Sequence, residues 1–349
     1  MPSTYMERNV AIDAIRGFAI ILVVFGHCIQ YGSGNVFLSE ELYWDNWLYR
    51  TIYSFHMPLF ALVSGYLIYG QIQRQTSFLP YFIKQVKSLL LPIFCWTLLD
   101  FSATSLLGRS IDFNLLLKFL GRLATNLWFL WTVFYASMFL AILHFFFHHS
   151  IFPAFILILM LLAIPNDWNL SVYVWTLPFF LLGYYAKMKN IEASYILKSC
   201  LGTKGLIISV VLFLLVLFCS SIIMDSPYRT GMQINVFSDR GGQSILKDLY
   251  YWTIGIVGSL PVIIFFLYTY RLPMRFSILP KLGKMTLGIY AFSSLINYHL
   301  LVRITDGFSS SFLINVIETI IILLISCFVT NIMQRISLLN VLFLGGRKR

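Results

Sequence analysis

Apolar runs of roughly 18 or more residues recur along the whole chain, broken by short polar or basic stretches. Each is long enough to cross a bilayer as a helix that satisfies its own backbone. The runs centre near Leu22, Leu62, Phe94, Tyr135, Leu157, Phe179, Leu212, Ile256, Ala291 and Leu324. The pattern predicts an all-α polytopic membrane protein of about ten transmembrane helices. Neighbouring runs around Ser150 and Pro165 are separated by very short turns, so the count there turns on where each turn falls.

Composition agrees. The 349 residues are 59% hydrophobic and only 11% charged, with a mean hydropathy of +0.80. Soluble domains carry about a quarter charged residues. No linker, composition shift or internal repeat divides the sequence, so residues 1–349 read as a single membrane domain. The longest polar interruption, from Asp225 to Lys247, reads as an external loop. Two basic, half-apolar stretches, Ser77 to Lys87 and Asp112 to Arg122, fit amphipathic helices lying along the membrane surface.

Charge placement sets an orientation. With the N-terminus inside, sixteen Lys and Arg fall on inner segments and eight on outer ones. That bias predicts an even number of spans with both termini cytoplasmic. Glu40, Glu41 and Asp45 then lie in the first outer loop, beside Trp44 and Trp47. The net charge of +11 follows from this insertion rule and does not mark a nucleic-acid binder. Membrane lipids are the partners the composition implies. The five cysteines sit in or beside apolar segments without paired spacing, so neither a disulfide frame nor a metal site is expected. A cleaved leader is disfavoured, because Glu7 and Asp13 spoil the basic region that should precede the apolar core. Gly241-Gly242 reads as a turn.

The first span carries the chemistry. Asp13-Ala-Ile-Arg16-Gly17 precedes an apolar run that ends at His27. Eleven helical steps bring Arg16 and His27 to nearly one face, about 16 Å apart along the axis. Ionisable groups inside a membrane are costly and mark sites or pathways. In the second span His56 precedes Pro58, which frees backbone carbonyls, and Ser64 and Gly65 permit close helix contact. By helical rise His27 and His56 lie roughly 6–9 Å below the outer boundary, and Asp100 and Glu318 about 10–12 Å. Four ionisable groups from four spans thus share one depth band. Alternative readings stay open. Each histidine also fits a packed core residue with one hydrogen bond, and the two carboxylates fit pairing with Arg109 or snorkelling to the headgroups.

These residues carry a family resemblance. Asp13-x-x-Arg16-Gly17 with His27, then Phe55-His-Met-Pro-Leu-Phe60 and Ser64-Gly65-Tyr66, resemble the membrane-bound acyltransferase family 3, most closely its sugar O-acetylase branch. Asn126-Leu-Trp128-Phe-Leu130, Pro178-Phe-Phe-Leu-Leu-Gly183 and Thr286-Leu-Gly-Ile-Tyr290 resemble its later segments. The resemblance implies a multi-pass enzyme of a bacterial inner or plasma membrane. It would move an acyl group, commonly acetyl, from acyl-CoA to a hydroxyl of a surface glycan or its lipid-linked precursor. Acetyl-CoA is then a donor substrate, not a tightly bound cofactor. His27 matches the family's essential histidine and Arg16 its essential arginine. Many members have a histidine three residues after the tyrosine matching Tyr290, where this chain has Ser293; His299 lies further along.

The residue types suit that task. A hydroxyl needs a base beside it, and imidazole can take its proton and return one to the departing thiolate. A carboxylate on the far nitrogen would orient the ring, with Asp100 and Glu318 the candidates by depth. Arg16, next to Asp13, offers a fixed fork of donors to a phosphate or carbonyl of the donor. Ser64, Tyr66, Trp128 and Tyr290 are the expected substrate contacts. A second function class also fits: a transporter using the same groups as a proton or substrate relay. Oligomeric state, acceptor sugar and a covalent acyl-histidine route are left open by the sequence.

Overall fold

A computed structural model of the chain describes residues 9–32, 46–106, 115–148, 150, 152–163, 171–191, 199–223, 241–270, 277–305 and 311–346. The expected outer loop at Glu40–Asp45, Arg109 and most of the 225–247 loop lie outside them. Every regular element among the described residues is helical. In order they are α1 (Val10–Tyr31), α2 (Trp47–Ile72), α3 (Phe78–Gln85), α4 (Leu91–Leu106), α5 (Leu115–Thr125), α6 (Trp128–Phe146), α7 (Phe152–Ala163), α8 (Ser171–Met188), α9 (Thr203–Ile223), α10 (Gly241–Thr269), α11 (Ile278–Lys284), α12 (Thr286–Ile296), α13 (Val302–Ile304), α14 (Phe312–Arg335) and α15 (Ser337–Leu344). Two π-helical segments, Val86–Leu90 and Asn297–Leu301, join α3 to α4 and α12 to α13.

Seven described spans are long and apolar enough to cross a membrane: Val10–Tyr31, Trp47–Ile72, Phe78–Thr104, Trp128–Phe146, Ile245–Thr269, Thr286–Ile304 and Phe312–Arg335. The expected ten are therefore not all reached on these criteria. The 12-residue α7 is too short, and in α9 only Thr203–Cys219 counts as an apolar segment. The protein is an all-helical, multi-pass membrane protein. Large apolar side chains on α9 and α14, among them Ile208, Phe218, Leu324 and Phe328, are about two-thirds exposed. Such a belt is what lipid contact requires.

The buried core is built on α1, α2 and α8. Asn9 and Asn46 cap the first two helices, their side chains accepting from Ala11 and Ile12, and from Leu48 and Tyr49. Gly65 on α2 faces the backbone at Phe180, and Gly183 on α8 faces the backbone at Leu62. With no side chains at these two points the helices touch backbone to backbone, the small-residue packing that replaces hydrophobic driving force in lipid. Gly17 and Gly283 make the same reciprocal approach between α1 and α11, at Leu279 and Asp13. That crossing explains why a glycine follows Arg16: it seats the α11–α12 junction against the arginine.

Hydrogen bonds fix relative directions. Arg16 meets Thr286 at the start of α12, and Thr305, just beyond α13, donates to the Tyr31 carbonyl at 3.2 Å. α1 and the α12–α13 rod therefore run parallel. Tyr53 near the start of α2 lies by Gln30 near the end of α1, so those two run antiparallel. α15 folds back onto α4, where the Trp96 indole donates to the Phe343 carbonyl.

Candidate active site

The face of α1 predicted to carry the chemistry lines a chamber. Arg16, Ile20 and Val23 stand at successive i, i+4, i+7 positions along it, and His27 is the next residue on that stripe. The chamber has a volume of about 450 Å³ and is completed by Met57, Phe60 and Ser64 of α2, Lys84 and Gln85 of α3, Ser88 and Leu89 of the first π segment, Phe129 and Leu130 of α6, and Thr286 and Tyr290 of α12. Its only charged lining groups among the described residues, Arg16 and Lys84, are both cationic. Arg16 Nη2 donates to Thr286 Oγ1 at 2.6 Å, and Nη1 lies 3.8 Å from the buried Asp13 carboxylate. Asp13 thus holds the guanidinium from behind and does not itself line the chamber.

A second chamber, of about 490 Å³, is lined by Tyr31 of α1, Trp96 and Asp100 of α4, Arg122 and Thr125 of α5, Asn126, Leu127 and Trp128, and Ala291, Ser294, Leu295 and Tyr298 on the α12 rod. The two chambers share a dividing strip. Leu127 adopts a left-handed backbone, φ 50°, at the start of α6, a conformation costly for a side-chain-bearing residue. Its N–H is held by Asn126 Oδ1 at 3.0 Å, and Asn126 Nδ2 donates to Thr97. Leu127 and Trp128 line one chamber, and Phe129 and Leu130 the other.

His27 lines neither chamber; it stands on α1 between Val23, on the wall of the first, and Tyr31, on the wall of the second. Its ring lies edge-on to Tyr31, centroids 5.9 Å apart, while Val23 one turn back belongs to the first chamber. Its Nδ1 is buried and makes no hydrogen bond to any described residue. His56 is buried against Tyr53, ring centroids 4.5 Å apart, and lies close enough to interact electrostatically with His27. The His56 Nδ1 lies 2.8 Å from the Ile52 carbonyl. That partner requires the proton on Nδ1 and leaves Nε2 as the acceptor.

Of the two carboxylates expected to orient His27, Asp100 is engaged elsewhere. Its Oδ1 lies 2.7 Å from His299 Nε2 and its Oδ2 3.1 Å from Arg122 Nη1. The same Arg122 nitrogen reaches Thr104 Oγ1 at 2.6 Å. Arg122, read from sequence as part of a surface helix, is in fact an inward partner of this cluster. Glu318 approaches the other side of α1. A Cβ placed on Gly32 would stand 2.6 Å from its Oε2, an atom that is buried and without a described hydrogen-bond partner. Neither carboxylate is bonded to His27 Nδ1.

Ser64 and Tyr290 line the first chamber and Trp128 the second. Tyr66 lines neither, because its hydroxyl accepts from Lys187 Nζ at 2.6 Å and its ring faces that ammonium at 4.6 Å. Residues two apart on a helix point in nearly opposite directions, so Ser64 and Tyr66 cannot share a wall. The sequence reading passed over Lys84, and also Asn297, which is fully buried with neither amide atom bonded to a described group. Asn297 opens the second π segment, which packs against α1. Such segments occur disproportionately at functional sites. Among the described residues no cluster of three or more His, Cys, Asp or Glu could hold a metal.

The fold and the site define the class: a multi-pass helical protein whose cationic chamber is lined by Arg16, with a half-buried histidine one turn beyond the chamber on the same helix. Residues 9–333 match the model of the acyltransferase 3 family, described as an acyltransferase domain. The chain belongs to that family. It is also similar to two proteins named nodulation protein NolL. It is 36% identical over 131 residues to that of Sinorhizobium fredii (strain NBRC 101917 / NGR234), covering 36% of this chain and 34% of the relative. It is 28% identical over 187 residues to that of Mesorhizobium japonicum (strain LMG 29417 / CECT 9101 / MAFF 303099), covering 52% and 49%. The chain thus matches half or less of the length of these relatives. No solved structure matches it.

Proposed function

We propose that the chain is a membrane O-acyltransferase that moves an acetyl group from acetyl-CoA to a hydroxyl of a cell-surface glycan or its lipid-linked precursor. One observation carries the reading: the stripe Arg16–Ile20–Val23 lines a cationic chamber and leads, one turn on, to His27. In this reading the pantetheine arm lies along the stripe, which is about 16 Å long. Arg16, steadied by Asp13 and Thr286, and Lys84 attract the donor's phosphates or carbonyls. Ser64 and Tyr290 line the arm's path. The acceptor arrives from the other end.

His27 then takes the proton of the acceptor hydroxyl as its oxygen attacks the thioester carbonyl. The tetrahedral intermediate collapses by breaking the C–S bond, and the imidazolium returns the proton to the CoA thiolate. His56 supports the geometry beside His27. Asp100 serves the acceptor side, and Glu318 is a polar neighbour of α1's outer end.

The same reading places the protein in the bacterial inner or plasma membrane with both termini cytoplasmic. Ten crossings result if α7, α8 and α9 join the seven longer spans. The parallel run of α1 with α12–α13 supports this, since the first and ninth crossings then share a direction. Acetyl transfer by purified protein in detergent, from radiolabelled acetyl-CoA to isolated cell-surface glycan, is the test. His27→Ala should lower the rate by on the order of 10²–10⁴ at unchanged protein abundance. A variant that keeps most of its turnover would remove His27 from the mechanism.

A further inference from the structure

We propose that the second chamber seats an uncharged, hydroxyl-rich ring: the pyranoside unit of the acceptor, stacked on Trp128 and hydrogen-bonded by Asp100 and Arg122. The proposal deepens the acyltransferase reading and rests on it for the identity of the ligand as acceptor.

The lining has the two components a sugar ring needs. Trp128, Tyr298 and Tyr31 present broad amphipathic surfaces, while Asp100, Arg122 and Asn126 present hydrogen-bonding groups to the same space. The volume of about 490 Å³ accommodates a ligand of one or two rings.

Charge decides the ligand class. Asp100 and Arg122, the chamber's two charged lining groups among the described residues, neutralise each other at 3.1 Å. A free phosphate or carboxylate would have to displace Asp100 from Arg122 and then face the carboxylate at close range. A hydroxyl faces no such conflict. Each Asp100 oxygen has one described partner, His299 or Arg122, and retains lone-pair capacity for an incoming O–H. His299, only 10% exposed, does not line the chamber. It and Arg122 grip the carboxylate from two sides and hold it ready without the ligand.

Position ties the seat to the reaction. The chamber wall includes Tyr31, whose ring meets the His27 imidazole edge-on, centroids 5.9 Å apart. A ligand in this chamber that reaches Tyr31 is one side chain away from the base.

The test uses the full chain in detergent micelles and a panel of methyl α- and β-pyranosides, read by saturation-transfer difference NMR. Acetyl-CoA binding is measured by calorimetry on the same samples. The expected result is transfer to the ring protons of at least one pyranoside. Affinity should weaken on the order of tenfold in Asp100→Asn, which loses a charge-assisted acceptor, and the signal should vanish in Trp128→Ala and partly return in Trp128→Phe. Acetyl-CoA binding by these variants should match wild type, which also shows that they are folded. The proposal is overturned if a wild-type chain that binds acetyl-CoA gives no pyranoside signal. It is equally overturned if the signal survives undiminished in Asp100→Asn and Trp128→Ala, or if inorganic phosphate abolishes it. Pyranoside binding that follows the expected pattern in a chain with no affinity for acetyl-CoA would uphold the seat and sink the donor reading instead.

Discussion

The two chambers are nearly equal in volume, about 450 and 490 Å³, yet opposite in electrostatic design. One holds Arg16 and Lys84 and, among the described residues, no carboxylate on its wall; the other sets Asp100 against Arg122 and cancels its own charge. Size therefore does not distinguish their ligands, and the proposed assignment rests on charge. A chamber with two cations in a low-dielectric bundle favours a polyanionic donor, whose phosphates gain from fixed positive charge. In the proposed reading the self-neutralised chamber recognises its ligand by shape and hydroxyl geometry. A dividing strip only a few residues wide, Asn126 to Leu130 with Tyr290 and Ala291, separates them, and His27 stands on α1 between Val23 of the first wall and Tyr31 of the second.

That contrast can be broken at its scaffold. Gly17→Ala would drive a methyl group into the Leu279 carbonyl and push α11 from α1, separating Arg16 from Thr286. Overpacking of this kind costs roughly 1–3 kcal/mol. The expected outcome is a lower midpoint of thermal unfolding in detergent and weaker acetyl-CoA binding, with pyranoside binding retained. Equal damage to both ligands would mean that the chambers are not independent.

A smaller effect sharpens the boundary of the first chamber. Tyr66→Phe removes the hydroxyl that accepts from Lys187 and should cost about 0.5–1.5 kcal/mol of stability. Because Tyr66 lines neither chamber, the acetyl-CoA affinity should stay at the wild-type value. A marked loss of donor affinity would place Tyr66 in the chamber wall after all.

Much of this was legible in the sequence because helix periodicity is local. The Arg16–His27 stripe and the apolar spans follow from spacing along one helix. The Asp100–His299–Arg122 cluster does not, since 199 residues separate the first two and no spacing rule joins them. The sequence offered Arg109 as a partner for Asp100, whereas the structure supplies Arg122 from the amphipathic α5. Trp128 and Phe129 read as one motif but line different chambers, since each step of α6 turns the side chain by about 100°. Grouping Ser64 with Tyr66 followed the motif and overlooked the rotation between them, which helix geometry alone would have given. The span count rests on α7, α8 and α9, which are not among the seven long described spans.

The central claim is that Arg16 grips an acyl-CoA donor within the cationic chamber, and calorimetry tests it most directly. Acetyl-CoA would be titrated into the purified chain in detergent and into Arg16→Lys, which keeps the charge but loses the planar fork. The account predicts measurable binding to wild type, weakened in the variant by roughly 1–3 kcal/mol, the loss expected for one charge-assisted contact. No binding to wild-type protein that transfers acyl groups, or equal affinity in the two proteins, would contradict it.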